Sequence, residues 1–314
     1  MKIPLVVIVG PTCVGKTETS IYLAERLNGE IISADSRTYY KGLDIGTAKP
    51  LYEDLQRVPH HLIDVVTPEV QLNLAIFQEL AKSKINEIFS RDKIPFLVGG
   101  TGQYIRAITN NWSPPTTTPD YRLRHFLEES ANEKGSEYMY KILQFLDPTA
   151  AEIIDQRNVR RTIRAIEVIF KTGQRFSSQR QANTSIFDLI IVGLTRPRSE
   201  LYSRIDQRIE DMFCRGFIQE VRNLLASGLS PDLPAFTAIG YPECIAVVSG
   251  RITEIDAIKE IKKKTRIFVR RQANWFKPTD PAIHWFDISK RSVSEVEDFI
   301  RSSLKTLVNP DSLN

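Results

Sequence analysis

The chain has 314 residues, long for one compact domain and enough for one large domain with an insertion, or for two. At 42% hydrophobic and 25% charged residues its composition is that of a globular protein in water, and no uninterrupted apolar run is long enough to cross a bilayer. The net charge of +4 decides little alone, but Cys13, Cys214 and Cys244 form no C-x-x-C pair, which argues against a disulfide framework or cysteine zinc site and for a reducing cytoplasm.

In chain order, Leu5–Val9 is a continuous apolar run bounded by Gly10, as expected for a strand buried on both faces of a parallel sheet. The opening MKIPLVVIVG runs straight into a glycine-rich loop; a cleavable leader would remove the strand carrying that loop, so it reads as structure. Thr17–Leu27 follows as a helix and Glu30–Ser33 as a second strand, ending at Ala34-Asp35-Ser36. A third strand is expected over His61–Val66, a helix over Leu74–Phe89 from its apolar spacing, and a buried strand over Ile94–Gly100. Strands alternating with helices indicate an α/β fold with a parallel sheet flanked by helices. The Pro/Thr-rich stretch at 112–120 reads as a connector, and from Tyr121 to about Lys171 the pattern is helical, strongly charged and without a clear strand. Strand character returns at Asp188–Leu194, so the division expected is a core of 1–115 and 186–314 with a helical insertion at 116–185. Helices are expected at Leu201–Phe213, Phe217–Ala226, about Ile255–Phe276 and from Val293, with a last strand near 284–289.

Ligands of such sheets lie beyond the carboxyl ends of the strands, where this chain places Gly10–Thr17, Asp35-Ser36 and Gly99-Gly100-Thr101. GPTCVGKT (10–17) fits G-x-x-x-x-G-K-[ST], and a strand before and a helix after supply its required context, that of a P-loop NTPase-like core. Gly10 and Gly15 permit the tight turn, and the backbone of Pro11, Thr12, Cys13 and Val14 completes the phosphate cradle. Lys16 supplies positive charge to phosphate oxygens and Thr17 a hydroxyl to Mg²⁺. The loop recognises a di- or triphosphate without naming a reaction; a kinase would also need a second acidic metal site, for which Asp64 in HLIDVV is a candidate but reads better as a strand-end carboxylate. His60 and His61 would point oppositely on a strand, a poor metal site.

GPTCVGKT, ISADSRTYYKGLDIGTAKP (32–50), VPHHLID and LVGGTGQYIRA together resemble the tRNA dimethylallyltransferase family in order and spacing. The resemblance continues through RRTIRAIEV (160–168), IDQRIEDMFCRGFIQEV (205–221), IGYPE (239–243) and TRIFVRRQANWF (265–276), covering nearly the whole chain. It implies transfer of a dimethylallyl group from dimethylallyl diphosphate to N6 of adenosine 37 in tRNAs reading codons that begin with U. The phosphate loop then holds the leaving diphosphate with Mg²⁺. Asp35 is the expected general base and Thr101 the expected hydrogen-bonding partner near the reacting groups, with Lys16 stabilising the departing charge. On local grounds the alternative reading of Asp35 and Thr101 is as helix N-caps.

A base in an anticodon loop must be splayed out to be reached. The resemblance assigns tRNA contacts to Asp35, Ser36, Arg37, Thr38, Thr101, Arg122 and the run Arg160, Arg161, Thr162, Ile163 and Arg164. At Thr38 the chain departs from the family's usual Gln; Thr is shorter and has no amide, so either a neighbour substitutes or base binding is weaker. Surface helix charge is the alternative reading for Arg160 and Arg164. Arg266, Arg270, Arg271 and Gln272 share helical spacing, and Trp275 and Phe276 read as core. Tyr39 and Tyr40 either line a prenyl tunnel or pack. The expected partners are the anticodon stem-loop of tRNA and dimethylallyl diphosphate, for a monomer in the cytoplasm with no membrane attachment. Two other enzymes fit parts of the pattern: an adenylate isopentenyltransferase using a free nucleotide, which would not need the basic insertion, and a P-loop kinase, which ATP turnover would reveal. A non-catalytic RNA-binding protein would give no product.

Overall fold

In a computed structural model that describes residues 2–112, 120–178 and 184–308, the chain divides into two compact units, Met1–Thr109 with Ser185–Asn314, and Asn110–Thr184. The first unit carries six strands, β1 (Ile3–Val9), β2 (Gly29–Ser33), β3 (His60–His61), β4 (Ile94–Gly99), β5 (Phe187–Thr195) and β6 (Ile283–Asp287). They form one parallel sheet in the order β3-β2-β4-β1-β5-β6. Its helices are α1 (Lys16–Arg26), α2 (Tyr52–Arg57), α3 (Leu74–Phe89) and α4 (Gly102–Thr109). The second unit contributes α5 (Tyr121–Leu146), α6 (Pro148–Ile153) and α7 (Val159–Thr172). The first then resumes with α8 (Arg198–Cys214), α9 (Phe217–Ala226), α10 (Tyr241–Val248), α11 (Glu254–Gln272) and α12 (Val293–Val308).

The alternation of side chains along β1 builds two cores. Val6 and Ile8 pack on one face with Ile21, Leu23 and Ile205, while Leu5, Val7 and Val9 pack on the other with Phe77, Ile85 and Ile105. All five are fully buried, which is why the run is apolar without interruption. Register then fixes where the chemistry emerges. Val9 lies beside Gly99 on one side and Gly193 on the other, and Ser33 lies beside Val98. The loop after β1, the Asp35 turn after β2 and Thr101 after β4 therefore leave the same edge of the sheet.

Three expectations change, and a fourth lies where it is not described. The strand expected over His61–Val66 is only two residues long, because Leu62 and Asp64 adopt left-handed φ values of 61° and 54°. Asp64 is an ion-pair partner of buried Lys49, at 2.5 Å, rather than a metal ligand. The helix expected to reach Phe276 ends at Gln272; Phe276 is core, whereas Trp275 is only partly buried. The connector at 112–120, and with it the boundary expected at 116, falls at 113–119 outside the described residues.

The second unit has its own core of Leu127, Met139, Leu143, Ile163 and Ile166. Its helix α5 is broken at Gly135 (φ 86°). Glu167 is wholly buried among three donors: the Asp120 amide at 2.8 Å, Arg124 at 2.8 Å and Arg164 at 2.9 Å. Burial pushes its carboxyl up, but the hydrogen bonds from the two arginines and the Asp120 amide hold it below the usual 4.5. A depressed carboxyl contributes stability that is full above the unfolded-state value and is lost as pH falls through the folded one. Glu167→Ala is expected to cost roughly 3 kcal/mol in urea denaturation at pH 7, with the difference from wild type shrinking below pH 4.

Candidate active site

Between β1 and α1 the chain must reverse tightly. Cys13 takes a left-handed φ of 65°, and Gly15, at φ 111°, opens the helix with no side-chain cap. Gly10 has no room for a side chain, since a Cβ there would sit 2.6 Å from the Leu194 carbonyl oxygen. Four carbonyls of the loop are held by cations. Lys16 Nζ donates to Gly10 at 3.0 Å and Pro11 at 2.8 Å, Arg204 to Cys13 at 3.0 Å, and Arg196 to Val14 at 2.8 Å. Desolvation, against an upward pull from Asp35 and with a further downward push from Arg208, lowers the Lys16 ammonium to about 8. The loop thus forms a cationic hollow at a helix N-terminus, the physical setting for a phosphate group.

Two cavities open here. One, of about 470 Å³, is lined by Lys16, Thr17, Ser33, Thr38, Arg204 and Asp211 among others. The second, of about 750 Å³, has largely apolar walls including Ile209, Met212, Phe213 and Phe268, and carries Ser36, Arg37, Thr101 and Arg271. Thr12, Cys13, Asp35, Thr47 and Arg208 are walls of both. The structure thus brings Asp35 and Lys16 to one site and sets Ser36, Arg37 and Thr101 on the far side of Asp35. Asp35 Oδ1 accepts the Arg37 N–H at 2.9 Å, a local turn bond that leaves its second oxygen to the cavities. Thr101 does not cap its helix with its side chain; its hydroxyl accepts the Ser36 N–H at 3.3 Å and ties the two turns together. Arg37 donates to the Pro234 carbonyl at 3.2 Å.

Thr38 is buried and lies on the wall of the loop-side cavity, its hydroxyl 2.9 Å from Ser33 Oγ and 3.3 Å from the Asp35 carbonyl. It braces the turn. Tyr39 and Tyr40 are buried and pack in opposite cores, so neither lines a tunnel. In the second unit, Arg122 and Arg160 are exposed and Arg161 and Arg164 partly so. Thr162 and Ile163, at 1% and 3% exposure, are buried. The arginines of the five-residue run are therefore the ones whose side chains reach the surface.

Several residues of the site have no role assigned to them by the sequence. On α8, Arg204, Gln207, Arg208 and Asp211 line the loop-side cavity at helical spacing, a polar stripe legible in RIDQRIED had it been sought. Glu220 on α9 accepts the amides of Asp44 at 2.9 Å, Ile45 at 2.6 Å and Gly46 at 3.3 Å, and the Tyr241 hydroxyl at 2.8 Å, fixing the loop that brings Thr47 to both cavities. Gln272 accepts the Thr12 N–H at 2.8 Å and donates to the Gly100 carbonyl at 3.1 Å.

For a hard cation, oxygen donors on the loop-side cavity include the exposed Thr17 hydroxyl and Asp211 carboxylate, beside the carboxylates of Glu18 and Asp35. Oxygen donors beside a phosphate cradle suit Mg²⁺, which takes one or two protein ligands and completes its shell with phosphate and water.

A family profile described as IPP transferase matches residues 38–279, and one described as isopentenyl transferase matches 3–68. A tRNA dimethylallyltransferase of Alkaliphilus metalliredigens is 41% identical over 98% of this chain and 99% of its own. One from Alkaliphilus oremlandii is 44% identical over 92% and 93%. Among solved structures, the full-length tRNA isopentenylpyrophosphate transferase of Bacillus halodurans is 40% identical, covers 97% of both chains and superposes with a TM-score of 0.72. A eukaryotic dimethylallyltransferase that acts on tRNA is 27% identical over 96% of this chain and 80% of its own, with a TM-score of 0.81. The chain belongs to the tRNA dimethylallyltransferase (IPP transferase) family.

Proposed function

We propose that this member of the family moves the dimethylallyl group of dimethylallyl diphosphate to N6 of adenosine 37 in tRNAs reading codons that begin with U, and releases diphosphate. The observation that carries the reading is the position of Asp35 on the wall shared by a cationic, loop-lined cavity and a larger, mostly apolar one. Diphosphate sits in the first, against the loop amides, Lys16, Arg204 and Arg208. The adenine enters the second, past Ser36, Arg37 and Thr101. The allylic C–O bond breaks with its electron pair leaving on diphosphate, the N6 lone pair forms the new C–N bond, and the N6 proton passes to an Asp35 carboxylate oxygen. An amine conjugated with a purine is a weak nucleophile, so removal of its proton as the bond forms lowers the barrier.

Thr17 and Asp211 would hold Mg²⁺ on the diphosphate, and the ion supplies charge neutralisation to the leaving group. Arg122, Arg160, Arg161 and Arg164 are the proposed RNA contacts of the inserted helices, where guanidinium groups suit phosphate and stacked bases alike. The cysteines Cys13, Cys214 and Cys244 are not disulfide-bonded, which suits the cytoplasm, where we place the enzyme as a monomer. Among the described residues no helix is long and apolar enough to cross a membrane.

Incubating the protein with unmodified tRNA and dimethylallyl diphosphate, with and without Mg²⁺, and analysing digested nucleosides by mass spectrometry tests the whole reading. Dimethylallyl-adenosine from tRNA but not from added AMP is expected; no product, or product from AMP alone, would defeat it. Asp35→Ala should lower turnover by about 10²–10⁴-fold and leave tRNA affinity within about threefold. Because Lys16 loses its proton above about pH 8, affinity for dimethylallyl diphosphate should fall between pH 7.5 and 9.5 in wild type. In Lys16→Arg that fall should be absent, since a guanidinium stays charged throughout. Arg161→Ala should reduce the slope of log affinity against log salt for tRNA by roughly 1; an unchanged slope would place that side chain away from RNA.

A further inference from the structure

Gln272 closes α11 with its side chain buried, at 4% exposure, between two loops that come from distant parts of the chain. Its amide oxygen takes the Thr12 N–H of the phosphate loop, and its amide nitrogen gives a hydrogen to the Gly100 carbonyl, immediately before Thr101. A primary amide donates and accepts through one rigid plane. Neighbouring contacts hold that plane in place. The next turn packs Trp275 against Gly102, where a Cβ would sit 2.2 Å from the indole. Arg106 of α4 then donates to the Trp275 carbonyl at 2.9 Å. At Gly100 a Cβ would sit 2.4 Å from Gln272 Nε2, and its next contact is an ordinary 3.5 Å, so the space there is shaped by this amide.

We infer that Gln272 is a positioning residue for prenyl transfer: its amide spaces the diphosphate-gripping loop from the Gly100-Thr101 turn, and so sets the allylic carbon against the amine that Asp35 and Thr101 attend. The inference rests on the functional reading above. It makes a distinction that packing alone does not. Dimethylallyl diphosphate alone touches the loop and its cations, so its binding survives a slack bridge. Transfer needs both loops in register, and displacement of a reacting group by about 1 Å costs about 10²-fold in rate.

The test compares wild type, Gln272→Ala, Gly100→Ala and the double variant, with turnover at saturating tRNA and dimethylallyl diphosphate corrected for folded fraction by thermal melting. Each single variant should lose about 10²-fold in kcat while the Kd for dimethylallyl diphosphate alone moves by no more than about threefold. In the double variant the methyl added at Gly100 finds the space the amide vacated, so its kcat should equal that of Gln272→Ala; two residues acting through one contact are not additive. Turnover of Gln272→Ala within about threefold of wild type would overturn the inference. So would a loss in Kd as large as the loss in kcat, or costs that multiply in the double variant. Should Gln272→Ala fail to fold, Gly100→Ala carries the same comparison of kcat with Kd. Absence of product from wild type would sink the function itself, whereas an active wild type with an unimpaired Gln272→Ala sinks only the positioning role.

Discussion

A tight loop between a strand and a helix leaves backbone carbonyls outside any ladder, and those carbonyls need partners. The site is organised by that constraint. Lys16 takes the carbonyls of Gly10 and Pro11, Arg204 that of Cys13 and Arg196 that of Val14. Each of these cations comes at a cost in desolvation or in chain order. The Lys16 ammonium is held near 8 by burial, and both arginines arrive from beyond the inserted helices, on or just before α8. On the proposed reading, diphosphate in the hollow would supply the countercharge that Asp35 and the loop's own carbonyls meet only in part.

The same constraint explains why α8, which follows β5, and α11, which follows no strand, both belong to the site. A phosphate loop at the end of β1 and a turn at the end of β4 are neighbours by register, but register alone leaves their side-to-side spacing to flexible loop backbone. Helices packed over them make it rigid. Arg208 of α8 stands on the wall shared by both cavities, and Gln272 of α11 joins Thr12 to Gly100. Glu220 of α9 does comparable service for the loop that carries Thr47. Group transfer needs this rigidity more than binding does, since a leaving group and a nucleophile must be held at one distance from a common carbon.

Much of this is legible in the sequence. Continuous apolar runs mark β1 and β4, and the glycine-lysine spacing marks the phosphate loop, because both signals are local. The stretch after β2 carries Asp35 to the right edge for the same reason. What is illegible depends on pairing over distance. Nothing local distinguishes Gln272 from any other polar residue on a basic helix; its partners lie 260 and 172 residues away. HLIDVV has the composition of a longer strand than β3, but the ion pair from Lys49 to Asp64 and the left-handed turns at Leu62 and Asp64 end the strand early. Thr162 and Ile163 belong to a contiguous motif that suggests contact along its whole length, whereas helical geometry turns adjacent residues to different faces.

The central claim is spatial: diphosphate and adenine meet from opposite sides of Asp35. The most direct measurement is a structure of the protein with an anticodon stem-loop and an unreactive thio analogue of dimethylallyl diphosphate. The account predicts diphosphate oxygens within hydrogen-bond reach of Lys16 Nζ and the loop amides, and N6 of adenosine 37 about 3 Å from an Asp35 oxygen. A diphosphate seated outside the loop, or an adenine amine beyond hydrogen-bond reach of Asp35 with the allylic carbon in place, would contradict it.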